Sequence, residues 1–228
     1  QSEVVVRGID TNVTPVGAAT TIELSVNGLT GKSAGRFFND SDSAYIVIRE
    51  SDGEVIDATF SSFGTGNATV NLSIGAENGP FTVIAPVKLK LGSGGLTAKT
   101  KSKTTVTTPE LLTATASTAV ATNTSFDLAN YDIIKIDSVT DGSNAPISAT
   151  DYELDNGQRD GLYKVGKIKY TGSSALTGLK VTYKYFLHGS GDYFSVDSYG
   201  VEYPEIPNYK DMRLSDSIDF RAKEGDSD

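Results

Sequence analysis

The stretch Asp151–Tyr170, DYELDNGQRDGLYKVGKIKY, decides how the chain is read. Its acids Asp151, Glu153 and Asp155 alternate with Tyr152 and Leu154, so on a strand the three carboxylates share one face. Asn156-Gly157 is a strong turn dipeptide, and Arg159, Lys164, Lys167 and Lys169 follow it. Folded as antiparallel neighbours, the two runs bring opposite charges together, each exposed pair contributing about 0.2–1 kcal/mol. The competing reading is a calcium loop. Counted from Asp151, an EF-hand needs Gly at its sixth position and Glu at its twelfth, where the chain has Asn156 and Leu162. A looser β-loop calcium site from Asp151, Glu153, Asp155 and Asp160 stays open on sequence alone. The charge-matched hairpin is the preferred reading, with no metal and no cofactor.

The rest of the chain repeats this β-rich pattern. Runs such as EVVVRG, TTIELSV, AYIVIRE, GEVIDATF, ATVNLSI, FTVIAPVKLKL and AKTKSKTTVTT are separated by Gly, Asn, Asp or Pro, the spacing of a seven-stranded sandwich. In AYIVIRE, the face of Ala44, Ile46 and Ile48 is expected in the core, and that of Tyr45, Val47 and Arg49 outside. A change of register at TPELL sets the expected domain boundary, and TSFDLA, DIIKIDSVT, DYELD, VGKIKYTG and LKVTYKYFLH supply a second set of strands. The expectation is all-β: two tandem immunoglobulin-like β-sandwich domains, 1–107 and 108–190, then an irregular C-terminal connector, 191–228. Pro204 and Pro207 rule out a central strand in that last segment.

Composition narrows the function. The chain of 228 residues has no cysteine, hence no disulfide, thiolate nucleophile or Cys-built zinc site. Net charge is −9, and residues 191–228 carry four Lys/Arg against ten Asp/Glu. That balance disfavours binding to a phosphate backbone, so no nucleic-acid partner is expected. No apolar run is long enough for a membrane span. GLTGKS, 28–33, lacks the first glycine of a phosphate loop, because Val26 stands there, and reads as a hairpin connection. His188 is the only histidine, without a visible nucleophile to serve, so the chain reads as non-enzymatic. Tyr193, Phe194, Tyr199, Tyr203 and Tyr209 crowd the C-terminal segment and are the candidate interface.

Several unusual segments occur in order: the opening stretch, then LTGLKVTYKYFLHGSGDYFSVDSY, YPEIPNYK and LSDSIDFRA. Over residues 125–222 they resemble large virion structural proteins of contractile-tailed phages, especially those of marine cyanobacteria. KLKLGSGGLTAKTKSKTTV extends the resemblance weakly into the first domain. The resemblance implies a tail, baseplate or fibre component assembled in the host cytoplasm. Its implied partners are other virion proteins, further copies of itself and a host surface receptor, and it brings no catalytic residues. Members of that family are much longer, so the abrupt start at QSEVVV and the polar run KEGDSD read as the ends of a piece.

Overall fold

A computed structural model describes residues 2–16 and 20–226. The chain is mostly β-strand in antiparallel sheets, an all-β sandwich architecture, and divides into two compact units, 1–97 and 98–228.

In the first unit the long strand Phe81–Lys90 is central. It pairs with the edge strand Glu3–Val13 on one side and with Ile46–Arg49 and Gly35–Arg36 on the other. Pro86, which has no N–H to donate, falls in the gap between those two shorter partners. The facing sheet is Thr21–Ser25, Thr69–Ser73 and Thr59–Phe63. Alternation along each strand puts Phe81, Val83, Ala85, Val87 and Leu89 opposite Ile22, Leu24, Val70 and Leu72, all buried. The run GEVIDATF is shared between the sheets, as Val55–Ile56 in one and Thr59–Phe63 in the other.

Two local expectations are corrected here. Tyr45 and Val47 face the core, while Ile46 and Ile48 lie half-buried on the other face. The inward register holds because the Tyr45 hydroxyl donates to the Asn39 carbonyl and Arg49, at the end of that face, leaves the core to meet Asp52, Glu54 and Glu77. GLTGKS is also more than a hairpin connection. Val26–Thr30 makes one helical turn, with the Ser25 side chain accepting from the Gly28 N–H at 2.9 Å and Gly31 ending it at φ 67°.

In the second unit, Leu179–His188 lies between Ile133–Asp141 and Lys101–Leu111 in one sheet, and Val165–Tyr170 between Ser125–Tyr131 and Tyr152–Asp155 in the other. Their facing sides bury Leu128, Ile133, Val139, Ile168, Val181 and Tyr183. The run AKTKSKTTVTT therefore belongs to this unit, and the division falls between Thr97 and Ala98, not at 107–108. Lys, Ser and Thr dominate that run, which has no apolar alternation to declare which core it serves.

The opening stretch forms its hairpin. Tyr152–Asp155 pairs with Val165–Tyr170, setting Glu153 across from Lys169 and Asp155 across from Lys167. Glu153 meets Lys169 at 3.8 Å, and Asp155 takes a 2.6 Å contact from Arg159. Asp160 is held by Lys210 at 2.5 Å. The segment expected as a connector is folded within the second unit. Ile206, Leu214 and Tyr199 pack on Phe186, and Ala222–Lys223 adds in parallel to Leu162–Tyr163.

Candidate functional site

At the end of the second unit, three chain segments bring charged side chains into a space closed to solvent. Lys101 opens the strand Lys101–Leu111, directly across from His188 at the end of Leu179–His188, so both side chains share one face. Asp132 is the single residue between strands Ser125–Tyr131 and Ile133–Asp141. It turns the corner from one sheet to the other at φ 52°, a left-handed conformation that aspartate tolerates better than most residues. Tyr163 comes from the opening stretch, and Asp219 and Arg221 from the C-terminal segment.

The geometry is dense. Lys101 Nζ lies 2.6 Å from Asp132 Oδ2 and 2.8 Å from the Tyr163 hydroxyl. His188 Nε2 is 2.9 Å from the same Asp132 Oδ2, and Gln158 Nε2 donates to Asp132 Oδ1 at 3.0 Å. The Tyr163 hydroxyl donates to Asp219 Oδ2 at 2.5 Å and accepts from Arg221 Nη2 at 2.9 Å. Arg221 holds Asp219 through Nε at 2.9 Å and Nη2 at 2.8 Å. Around the ammonium stand the rings of Tyr163 and Phe194, at 4.3 and 4.4 Å, with Tyr199 at 5.1 Å. Lys101 is 0 % exposed and Asp132 1 %.

Burial sets the electrostatics. Desolvation is the largest influence on Lys101 and draws its pKa below the usual 10.5 despite the Asp132 charge. Burial works to raise Asp132, but hydrogen bonds from His188 and Lys101 and the Lys101 charge outweigh it and hold the carboxyl below 3.8. Asp219 is likewise held low, its burial outweighed by hydrogen bonds from Arg221 and Tyr163. Desolvation pushes His188 below 6.5, so it is neutral at pH 7. The Tyr163 hydroxyl, pushed upward by burial and then by the charges of Asp132 and Asp219, stays protonated. It therefore has one proton to donate, to Asp219, and lone pairs for Lys101 and Arg221. Among the described residues the Tyr199 hydroxyl, buried nearby, has no hydrogen-bond partner.

Beside the centre an open groove of about 710 Å³ is lined by Lys99, His188, Ser190, Asp192, Lys223 and Asp226, among others. Among the described residues no group of three or more His, Asp or Glu side chains is placed to hold a metal ion.

This centre was not visible in the sequence. Lys101 sits between the half-buried Lys99 and the exposed Lys103 in KTKSK, and Asp132 is separated from its partners by strands that must pair first. His188 is the only histidine in the sequence, yet the fold gives it a carboxylate and an amine as neighbours. The expected interface is partly corrected. Tyr193, Phe194 and Tyr199 are buried, the last two lining the Lys101 site, so they cannot meet a partner. Tyr203 is 52 % exposed, and Tyr209 is half-buried, its hydroxyl donating to Asp160 at 2.8 Å.

No protein-family model, curated protein or solved structure matches the chain. No helix among the described residues is long and apolar enough to cross a membrane.

Proposed function

We propose that the chain is a structural component of a phage virion, in the tail, baseplate or fibre, acting as a rigid β-domain spacer and an assembly interface. Two units with separate cores suit that role, since each β unit can be joined to others without sharing its interior. The observation that carries the assembly part is the strand Glu3–Val13. It lies at the edge of its sheet, with no strand paired on its outer side among the described residues, and carries Val5 and Ile9 at 55 % and 56 % exposure. An edge of this length with apolar side chains is a template for pairing with another strand. Copies of the chain or neighbouring virion proteins are the partners this reading names, and the virion is its location.

Sedimentation of the purified chain over a range of concentrations tests this. Association that disappears in the double variant Val5→Asp, Ile9→Asp is the expected result. A monomer at every concentration would remove the assembly role.

A second reading, a receptor- or glycan-binding adhesion module, has its own observation. Met212, Ile218 and Phe220 are exposed beside Asp160, Tyr209 and Arg221, and together they line a groove of about 570 Å³. Apolar surface with a few charged groups is what such ligands use. A glycan array with no hits, and unchanged cell binding in Tyr209→Ala and Phe220→Ala, would remove it.

A further inference from the structure

We propose that Lys101 and Asp132 condense within the folded second unit to an amide bond between their side chains, releasing water. Three observations converge on this. The nucleophile and the carboxyl are in hydrogen-bond contact, Nζ to Oδ2 at 2.6 Å, and held there by backbone on both sides. Neither group reaches solvent, and aromatic rings enclose the amine. Each oxygen of the carboxyl has a separate protein donor: Gln158 Nε2 on Oδ1 and His188 Nε2 on Oδ2.

The chemistry balances with these groups alone. A proton passes from Nζ to Oδ2 along their hydrogen bond, turning the ion pair into an amine and a carboxylic acid. The Nζ lone pair then attacks Cγ, forming the C–N bond, and the C=O electron pair moves onto Oδ1. Gln158 Nε2–H stabilises that developing oxyanion from 3.0 Å. The surplus proton on Nζ passes to the Oδ2 hydroxyl along the short contact between the two atoms, the C–Oδ2 bond breaks with its electron pair, and Oδ2 leaves as water while the carbonyl re-forms at Oδ1. His188, neutral at pH 7, keeps its proton throughout, and its Nε2–H, 2.9 Å from Oδ2, steadies the departing oxygen as a hydrogen-bond donor.

The site favours the product for physical reasons. Two charges removed from water are costly, and condensation exchanges them for a neutral amide and a free water molecule. Fixing both groups in one geometry removes the entropic barrier of bringing them together. His188 also lines the adjoining groove, which gives the released water a way out. The bond would tie the first strand of the unit to the corner between its two sheets, so pulling on Ala98 would load the sheet corner without first peeling Lys101–Leu111 away.

Intact-mass measurement of the purified, denatured full chain is the test, followed by fragmentation of a tryptic digest. The expected result is a chain one water lighter than its sequence. The loss maps to a branched species joining the tryptic peptide that contains Lys101 to the one that contains Asp132. Lys101→Arg should restore the full mass, and Asp132→Asn should lose one ammonia instead of one water. His188→Ala should leave a mixture that converts slowly. The unmodified chain decides the matter even where a variant fails to fold. A full sequence mass with two linear peptides overturns the proposal, and so does a water loss that maps to a succinimide at an Asp-Gly pair such as Asp141-Gly142 or Asp160-Gly161.

Discussion

Tyr163 donates a 2.5 Å hydrogen bond to Asp219, and with it the hairpin of the opening stretch and the C-terminal segment share one buried hydroxyl. The same oxygen accepts from Lys101 and Arg221, so it is the point at which strands from three parts of the second unit are tied. The short parallel pairing of Leu162–Tyr163 with Ala222–Lys223 runs alongside and supplies little apolar contact of its own. Docking of the segment therefore depends on the polar centre and on the small cluster around Phe186 and Leu214.

Removing that hydroxyl should loosen the segment. Tyr163→Phe keeps the ring but leaves Asp219 short of a donor and Lys101 and Arg221 short of an acceptor. Each buried group left unsatisfied costs about 1–3 kcal/mol. The expected outcome is lower urea resistance of the second unit and faster amide exchange at Phe194, whose N–H is bonded to the Asp219 carbonyl. Unchanged exchange there would mean that the apolar cluster alone holds the segment.

Acid should act on the same centre in two stages. His188 is depressed below 6.5 in the folded chain, mainly by desolvation, so the unfolded chain binds a proton that the folded one refuses. Its contribution is fully present above pH 6.5 and is lost as pH falls from there through the folded value. Around the ring stand Lys101 and Lys223, which oppose its protonation, and Asp132, which favours it. Asp219 is held below 3.8, so its contribution persists to lower pH and is lost as pH falls through its own folded value. Thermal unfolding followed from pH 8 to pH 3 should show both declines. His188→Gln should remove the upper one and keep the lower, and a flat profile between pH 7 and pH 5 in the unmodified chain would contradict the assignment.

The hairpin was legible because its signals are local: alternation over Asp151–Asp155, a turn dipeptide and answering cations within one stretch. The all-β class was legible for the same reason, strand by strand. Which side of a strand faces inward was harder. In AYIVIRE both faces carry large apolar residues, and the decision was made by contacts outside the strand, Asn39 to Tyr45 and Glu77 to Arg49. The polar centre lay beyond reach altogether, because Lys101, Asp132, Tyr163 and Asp219 become neighbours only when five strands and the C-terminal segment are in place. Aromatic residues in that segment suggested a surface, but Phe194 and Tyr199 serve to close the space around a buried lysine.

Within the hairpin, turn geometry should outweigh charge matching. Glu153 and Lys169 are 3.8 Å apart with their side chains 69 % and 39 % exposed, so solvent screens the pair and Glu153→Gln should cost less than about 1 kcal/mol. Gly157 is different. It adopts φ 84°, and a Cβ there would stand 2.1 Å from the Lys164 carbonyl oxygen. Gly157→Ala therefore meets the left-handed penalty of about 1–2 kcal/mol for a residue with a side chain, and in addition must displace Lys164, whose N–H is bonded to the Gly157 carbonyl at 2.7 Å. Moving Lys164 disturbs Tyr163 beside it, so the cost should extend to the buried centre. Denaturant unfolding of the two variants side by side checks the order, and a larger loss in Glu153→Gln than in Gly157→Ala would show that the charges, and not the turn, hold the two runs in register.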